Sequence, residues 1–329
     1  MTRSTTLSRR SALGLFAAGL ASVALPKSGF AQINTLNLFG PPAGPSITLA
    51  HAVATDRFEG IAQSATFTAW RNPDELRAGL TSGNIQLSVV PIQAAANLYN
   101  RGFPIKLANA MTNGLLYIIA EDEEITRIPD LAGCHIAVPF RGDTPEMILS
   151  QLLAHHGLSD GDFQITYAAT PIEAMQLLLA GRVDAALTAE PSTSAGVLKG
   201  KQAGKTIHRA ISIQDAWGEM TGAAPVLPQA GLAVTGAFLD AHADDLQPIL
   251  TELEVATKDV LANPMDAAAN ATDALGMPAP LLAASIPNSN LCARPATEAR
   301  SDIERMLTAM AGPGLAKIGR SLPGEDFYL

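Results

Sequence analysis

Two cysteines among 329 residues, an aromatic content of 5% and only 22 basic side chains against 31 acidic ones exclude several classes of protein at once. Cys134 and Cys292 are too few for a disulfide scaffold, and neither lies in a spacing that gathers metal ligands. Cys134 precedes a run of strand character and reads as a buried thiol ahead of a bridge to Cys292. The formal charge of −9 repels nucleic acid and anionic membrane. Beyond the N-terminus no apolar stretch approaches the roughly 20 residues of a bilayer-spanning helix. Phosphate loops of the GxxxxGK[ST] and GxGxxG kinds are absent, as are HExxH, CxxC and GxSxG. Spacing nominates no Ser–His–Asp trio. His155 and His156 are adjacent, so on a helix they point about 100° apart and make a poor metal pair.

What is present begins with an address. Ser8-Arg9-Arg10-Ser11-Ala12-Leu13 is a twin-arginine box, residues 13–25 are a moderately apolar core, and Gly29-Phe30-Ala31 offers small residues at a cleavage site. Export with removal of residues 1–31 is therefore expected, with the cut after Ala31. It takes away four basic residues and no acid, so the formal charge moves from −9 to −13. The remaining length and 47% apolar content suffice for two domains.

Residues 128–191 read as a strand–helix–strand–helix–strand unit. The apolar run 135–138 is closed by Pro139 and the polar turn Arg141-Gly142-Asp143-Thr144, and Pro145 opens a helix with a 3.6-residue apolar period. A second strand over 163–168, a helix over 171–180 capped by Gly181, and a third strand over 185–187 complete a parallel α/β pattern. Earlier in the chain, strands are expected over 34–39, 65–70 and 85–90, then over 105–108 and 115–120 around the turn 111–114. Helices should start near Ser46 as N-cap, after Asn72, and at Pro91. Trp217-Gly218 and residues 225–228 read as a return linker. The chain beyond Ala237 is helical, with breaks at Asn263-Pro264 and Gly276.

In sheets of this kind ligands bind at strand carboxyl ends and helix starts. That rule, with side-chain chemistry, nominates Phe39, Ser46, Trp70, Arg71 and Gln93 in the first half. Trp70 can stack on a ligand and Arg71 can pair with a sulfonate or carboxylate. In the second half the same rule nominates Arg141, Asp143 and Thr144 after a strand, with pairing to each other or closure of the lobes as the alternative for Arg141 and Asp143.

The phrases Asp130-Leu131-Ala132-Gly133, Ile136-Ala137-Val138-Pro139 and Gly181-Arg182-Val183-Asp184-Ala185-Ala186, ending at Glu190-Pro191, resemble the second lobe of periplasmic solute-binding proteins. The group is the sulfonate/taurine/nitrate type, which includes thiamine-pyrimidine binders (NMT1/THI5-like). Gly83-Asn84-Ile85-Gln86 through Pro91 is similar to its first lobe, with Gln86 where relatives carry Asp. The resemblance implies a two-lobed α/β fold of the type II periplasmic-binding-protein kind, each lobe a mainly parallel sheet flanked by helices. One lobe would comprise residues 32–121 and 229–329 and the other 122–228, with two crossings forming the hinge. It also places Asn113 and Glu190 at the ligand. The implied role is capture of a small sulfonate, carboxylate or nitrogenous ring compound for an ABC permease and its ATPase. The protein would be a periplasmic monomer without cofactor or metal. A periplasmic sensor or assembly factor that binds a protein partner is the alternative, and an enzyme on the same fold is a further one. The enzymes resembling this architecture work in the cytosol, so the export signal counts against the last.

Overall fold

A computed structural model describes residues 32–311 and 313–329; the expected export signal lies outside the described residues. The strands are β1 (Ile33–Gly40), β2 (Ala62–Ala69), β3 (Leu87–Pro91), β4 (Ile105–Thr112), β5 (Leu116–Ala120), β6 (His135–Pro139), β7 (Gln164–Ala168), β8 (Ala185–Ala189), β9 (His208–Ser212), β10 (Ala230–Thr235) and β11 (Leu291–Pro295). The α-helices are α1 (Gly44–Ala54), α2 (Pro73–Ser82), α3 (Ile92–Asn100), α4 (Thr144–His155), α5 (Pro171–Leu179), α6 (Ser192–Gln202), α7 (Ile213–Thr221), α8 (Gly236–Ala262), α9 (Pro264–Leu275), α10 (Ala279–Ser285) and α11 (Ala296–Met310).

Two sheets result. The first has the order β11-β4-β10-β3-β1-β2 and the second β7-β6-β8-β5-β9. In the first, β1 runs parallel to β2 and β3, whereas β10 is antiparallel to β3 and β4. In the second, β6 is parallel to β7 and β8, and β5 is antiparallel to β8 and β9. The reversed strands β5 and β10 are those that carry the chain between sheets. Each sheet is mixed, with two parallel pairings, and each is covered by helices. Leu36, Leu38, Leu87 and Val89 pack with Leu49 of α1 and Leu253 of α8 on the first sheet. Ile136, Val138 and Leu187 pack with Ile148 and Leu152 of α4 on the second.

The two-lobed fold expected from the sequence is present, with local differences. β5 was expected to end the first lobe, but it pairs with β8 and β9, so the outward crossing falls at Asn113-Gly114 rather than at Glu121. β4 continues through Thr112, because residues 109–112 find partners on β10 and β11 that a turn would leave unmet. Trp217 is no linker residue: it is 1% exposed inside α7, and the return crossing follows Gly222, the left-handed residue that ends this helix. Ala43, not Ser46, caps α1; Gly44-Pro45 lets the helix begin earlier, with Pro inside the first turn, where its missing N–H is harmless. The strands β9 and β11 were not read from the sequence. Cys134 and Cys292 are both free thiols, half-buried next to different sheets, and burial pushes the Cys292 thiol up to about 11.

The crossings are pinned together at Asn113. Its N–H donates to Asn290 O at 2.9 Å and its carbonyl accepts from Leu227 N at 2.9 Å. Gly114 next to it holds φ +129°, and a Cβ there would stand 2.6 Å from that of Gln214, so only glycine fits.

Candidate functional site

Six parallel strands, three per sheet, end on a common space, and the helix following each one starts there. The result is a cavity of about 330 Å³ walled by both lobes, of a size suited to a small organic molecule. The first lobe contributes Pro41, Pro42 and Ala43 after β1, Trp70 and Arg71 after β2, Pro91 at the end of β3, and Gln229 and Ala230 from the return crossing. The second contributes Phe140, Asp143, Thr144 and Pro145 after β6, Thr170 to Ile172 after β7, and Ala189 with Ser192 around the end of β8. Prolines and aliphatic side chains dominate the wall.

Four of the sequence-nominated residues meet here. Trp70 is buried, and its indole Nε1 donates to Ser88 Oγ at 3.1 Å, which leaves the ring as apolar wall. Arg71 sits at the rim; both its backbone N–H and its Nε donate to Glu75 Oε2, at 2.8 and 3.1 Å, and its side chain is 86% exposed. Asp143 precedes α4 and receives Arg77 Nη2 at 3.1 Å from α2 of the other lobe, so this ion pair spans the seam. Burial pushes the Asp143 carboxyl above the usual range, against the opposing pull of Arg77. Thr144 is 3% exposed, and its Oγ1 has no hydrogen-bond partner. Burying such a hydroxyl unpaired costs about 1–3 kcal/mol, an outlay that a bound ligand can reverse.

The other six do not line the cavity. Phe39 is half-buried in the core of the first lobe. Ser46 is fully buried below Gly40, again with an unpartnered Oγ. Gln93 donates to Lys317 O at 2.9 Å on the outer side of α3. Asn113 serves the hinge. Arg141 turns outward over the ring of Tyr167, 4.7 Å from its centroid, and does not pair with Asp143. Glu190 is completely buried behind Ala189 and Ser192, where its Oε1 accepts from Arg209 Nε at 3.0 Å and its Oε2 from Ser194 N at 3.0 Å. Burial raises its carboxyl in spite of Arg209.

Sequence reasoning missed Phe140, Gln229, Ile172 and Ser192. Phe140 adopts φ +56°, a left-handed conformation that a bulky side chain takes only under constraint, here at the cavity turn. Gln229 is 7% exposed and its Oε1 is unpartnered. Ile172 and Ser192 open α5 and α6 after strand ends, so the strand-end rule that found Thr144 reaches them too. Among the described residues no group of three or more His, Cys, Asp or Glu side chains can hold a metal ion. Nor, among them, is any helix long and apolar enough to cross a membrane.

The NMT1/THI5-like family model matches residues 69–267, more than half of the chain, from Trp70 at the cavity wall to α9. The chain belongs to the NMT1/THI5-like family. Solved structures agree with this fold over three quarters or more of the NMT1/THI5-like chain. An ABC transporter protein from Parabacteroides distasonis superposes with TM-score 0.70 at 22% identity, over 90% of this chain and 98% of that one. The periplasmic aliphatic sulphonate binding protein SsuA of Escherichia coli gives 0.66 at 18% identity, over 89% and 99%. The periplasmic nitrate-binding protein NrtA of Synechocystis PCC 6803 gives 0.60 at 14% identity, over 76% and 69%. No curated protein matches the chain by sequence.

Proposed function

We propose that this NMT1/THI5-like chain is the solute-capturing component of an ABC importer. It would be exported through its twin-arginine signal, trap a small organic solute between its lobes and present it to a membrane permease. The observation that carries the reading is the cavity: it is walled by two lobes joined by two crossings, so lobe closure and solute burial become one event. The similarity to SsuA and NrtA supports the same role, although their own ligands do not transfer at such low identity. Trp70, Thr144, Phe140 and Gln229 would form the contact surface, Arg71 and Asp143 the rim. Glu190, Asn113 and Ser46 would act from behind, by fixing the frame.

The test is a thermal-shift screen on protein that has been unfolded, washed and refolded, against sulfonates, carboxylates and neutral ring compounds. A ligand that binds only the folded state raises the melting point with the logarithm of its concentration over Kd. A shift that disappears in Trp70→Ala supports capture at this cavity. A shift that persists unchanged in both Trp70→Ala and Thr144→Ala places binding elsewhere and defeats the reading.

A further inference from the structure

We infer that the cavity selects an uncharged, mainly apolar solute carrying at least one N–H or O–H donor, and that it rejects sulfonates, carboxylates and nitrate. This inference rests on the solute-capture reading above.

Helix N-termini attract anions through their free N–H groups and the helix dipole, and six helices start at this cavity. The chain's own carboxylates stand at four of those starts, three of them holding the N–H of the residue before the cap. Glu75 of α2 receives Arg71 N at 2.8 Å, Glu146 of α4 receives Gly142 N, and Glu173 of α5 receives Ala169 N at 2.7 Å. Glu190 takes a first-turn N–H of α6 itself, that of Ser194. Proline in the first turn of α1, α2, α4 and α5 removes a further donor from each. Among the described residues on the wall one is basic, Arg71, whose Nε donates to Glu75 and whose guanidinium stands mostly in solvent at the rim rather than inside the cavity. An anion would therefore enter a low-dielectric space with no cation inside it, with Asp143 on its wall and Glu190 buried behind Ala189 and Ser192, an arrangement in which buried charge is strongly disfavoured.

The unmet polar groups point the same way. The buried Oε1 of Gln229 is an acceptor without a donor, and the Thr144 hydroxyl can both give and accept. Nitrate and sulfonates offer only acceptors, so they can take the Gln229 amide N–H and the Thr144 hydroxyl but bring no donor for Gln229 Oε1. A neutral amide, alcohol or ring N–H satisfies both groups, while its apolar body meets Trp70 and the proline wall.

Matched pairs of equal shape decide the matter: benzamide against benzoate, and phenylmethanesulfonamide against phenylmethanesulfonate. They are titrated calorimetrically into the stripped, refolded full chain, with nitrate and ethanesulfonate as small anions. The neutral member of each pair should bind at least tenfold tighter, and Glu173→Gln, which removes the negative charge at the start of α5 while keeping an acceptor for Ala169 N, should narrow that ratio. Mass spectrometry of material released on first unfolding should find an uncharged compound. An anion that equals or beats its neutral partner, or a released anion, overturns the inference and leaves solute capture standing. Binding of nitrate or ethanesulfonate alone does the same. No binding by any compound, with nothing released on unfolding, overturns capture and this inference together.

Discussion

Two arginine–carboxylate pairs flank the cavity, and they differ in what they join: one lies within a lobe and the other bridges two lobes. Arg209–Glu190 lies wholly inside the second lobe. Glu190 is solvent-free, every oxygen is satisfied by Arg209 or Ser194 N, and the guanidinium also donates to Ser194 Oγ at 2.7 Å. Arg77–Asp143 joins the lobes, and its partners keep 48% and 18% of their side-chain surface. In both, burial raises the carboxyl further than the arginine lowers it. Neither pair therefore repays its desolvation in full, and what each contributes is position. The buried pair fixes the start of α6 at the cavity wall; the seam pair fixes how the lobes meet.

The largest effect is expected from Arg209→Met. Removing the arginine leaves Glu190 buried and unpaired, at a loss of about 3–5 kcal/mol of folding stability measured by urea or thermal unfolding. The raised pKa gives the sign of the pH dependence. Glu190 binds its proton more tightly folded than unfolded, so its destabilising effect grows as pH rises through that raised pKa and fades as pH falls towards the ordinary carboxylate range. Adding Glu190→Gln should restore much of the loss. Equal losses in acid and at neutral pH would show that the pair does not work as a buried charge. Next in size is Arg77→Ala, which on the solute-capture reading strands a half-buried Asp143 when the lobes close. Solute affinity should drop by roughly 1–2 kcal/mol with little change in the apo melting point. An equal drop in both would make this seam a folding contact like the first pair.

The contrast also marks what the sequence could tell. The parallel unit from His135 to Pro191 was legible because proline, glycine caps and apolar period agree at every boundary, and local agreement of that kind is tied to backbone geometry. Thr144, Trp70, Arg71 and Asp143 were legible because strand ends converge. The sheet to which β5 belongs was not, since its sequence LYIIA suits either sheet and only its partners β8 and β9 decide. Neither was the partner of Arg209: β9 reads HRAIS, an edge strand with too few apolar residues to stand out, and Glu190 lies 19 positions earlier. Gln229 and Phe140 reach the cavity through a crossing and a left-handed turn, which periodicity does not encode.

The smallest expected effect separates the two pairs most sharply. Asp143→Asn keeps the shape and an oxygen for Arg77 but removes the buried charge. In this structure the Asp143 carboxyl holds its proton more tightly than a solvated one, because burial outweighs Arg77. Closure is therefore favoured as pH falls through the window between that raised pKa and the ordinary carboxylate value, and loses this contribution as pH rises above it. For the wild type, solute affinity should weaken slightly across that rise, by less than about 0.5 kcal/mol given the exposure of Arg77. For Asp143→Asn the same curve should be flat and lie at or above the wild-type affinity at neutral pH. Titrations of both proteins with a neutral solute over that range measure it. A clear loss of affinity in Asp143→Asn would mean that the charge itself holds the lobes together, and the seam pair would then be a net attraction, unlike its buried counterpart.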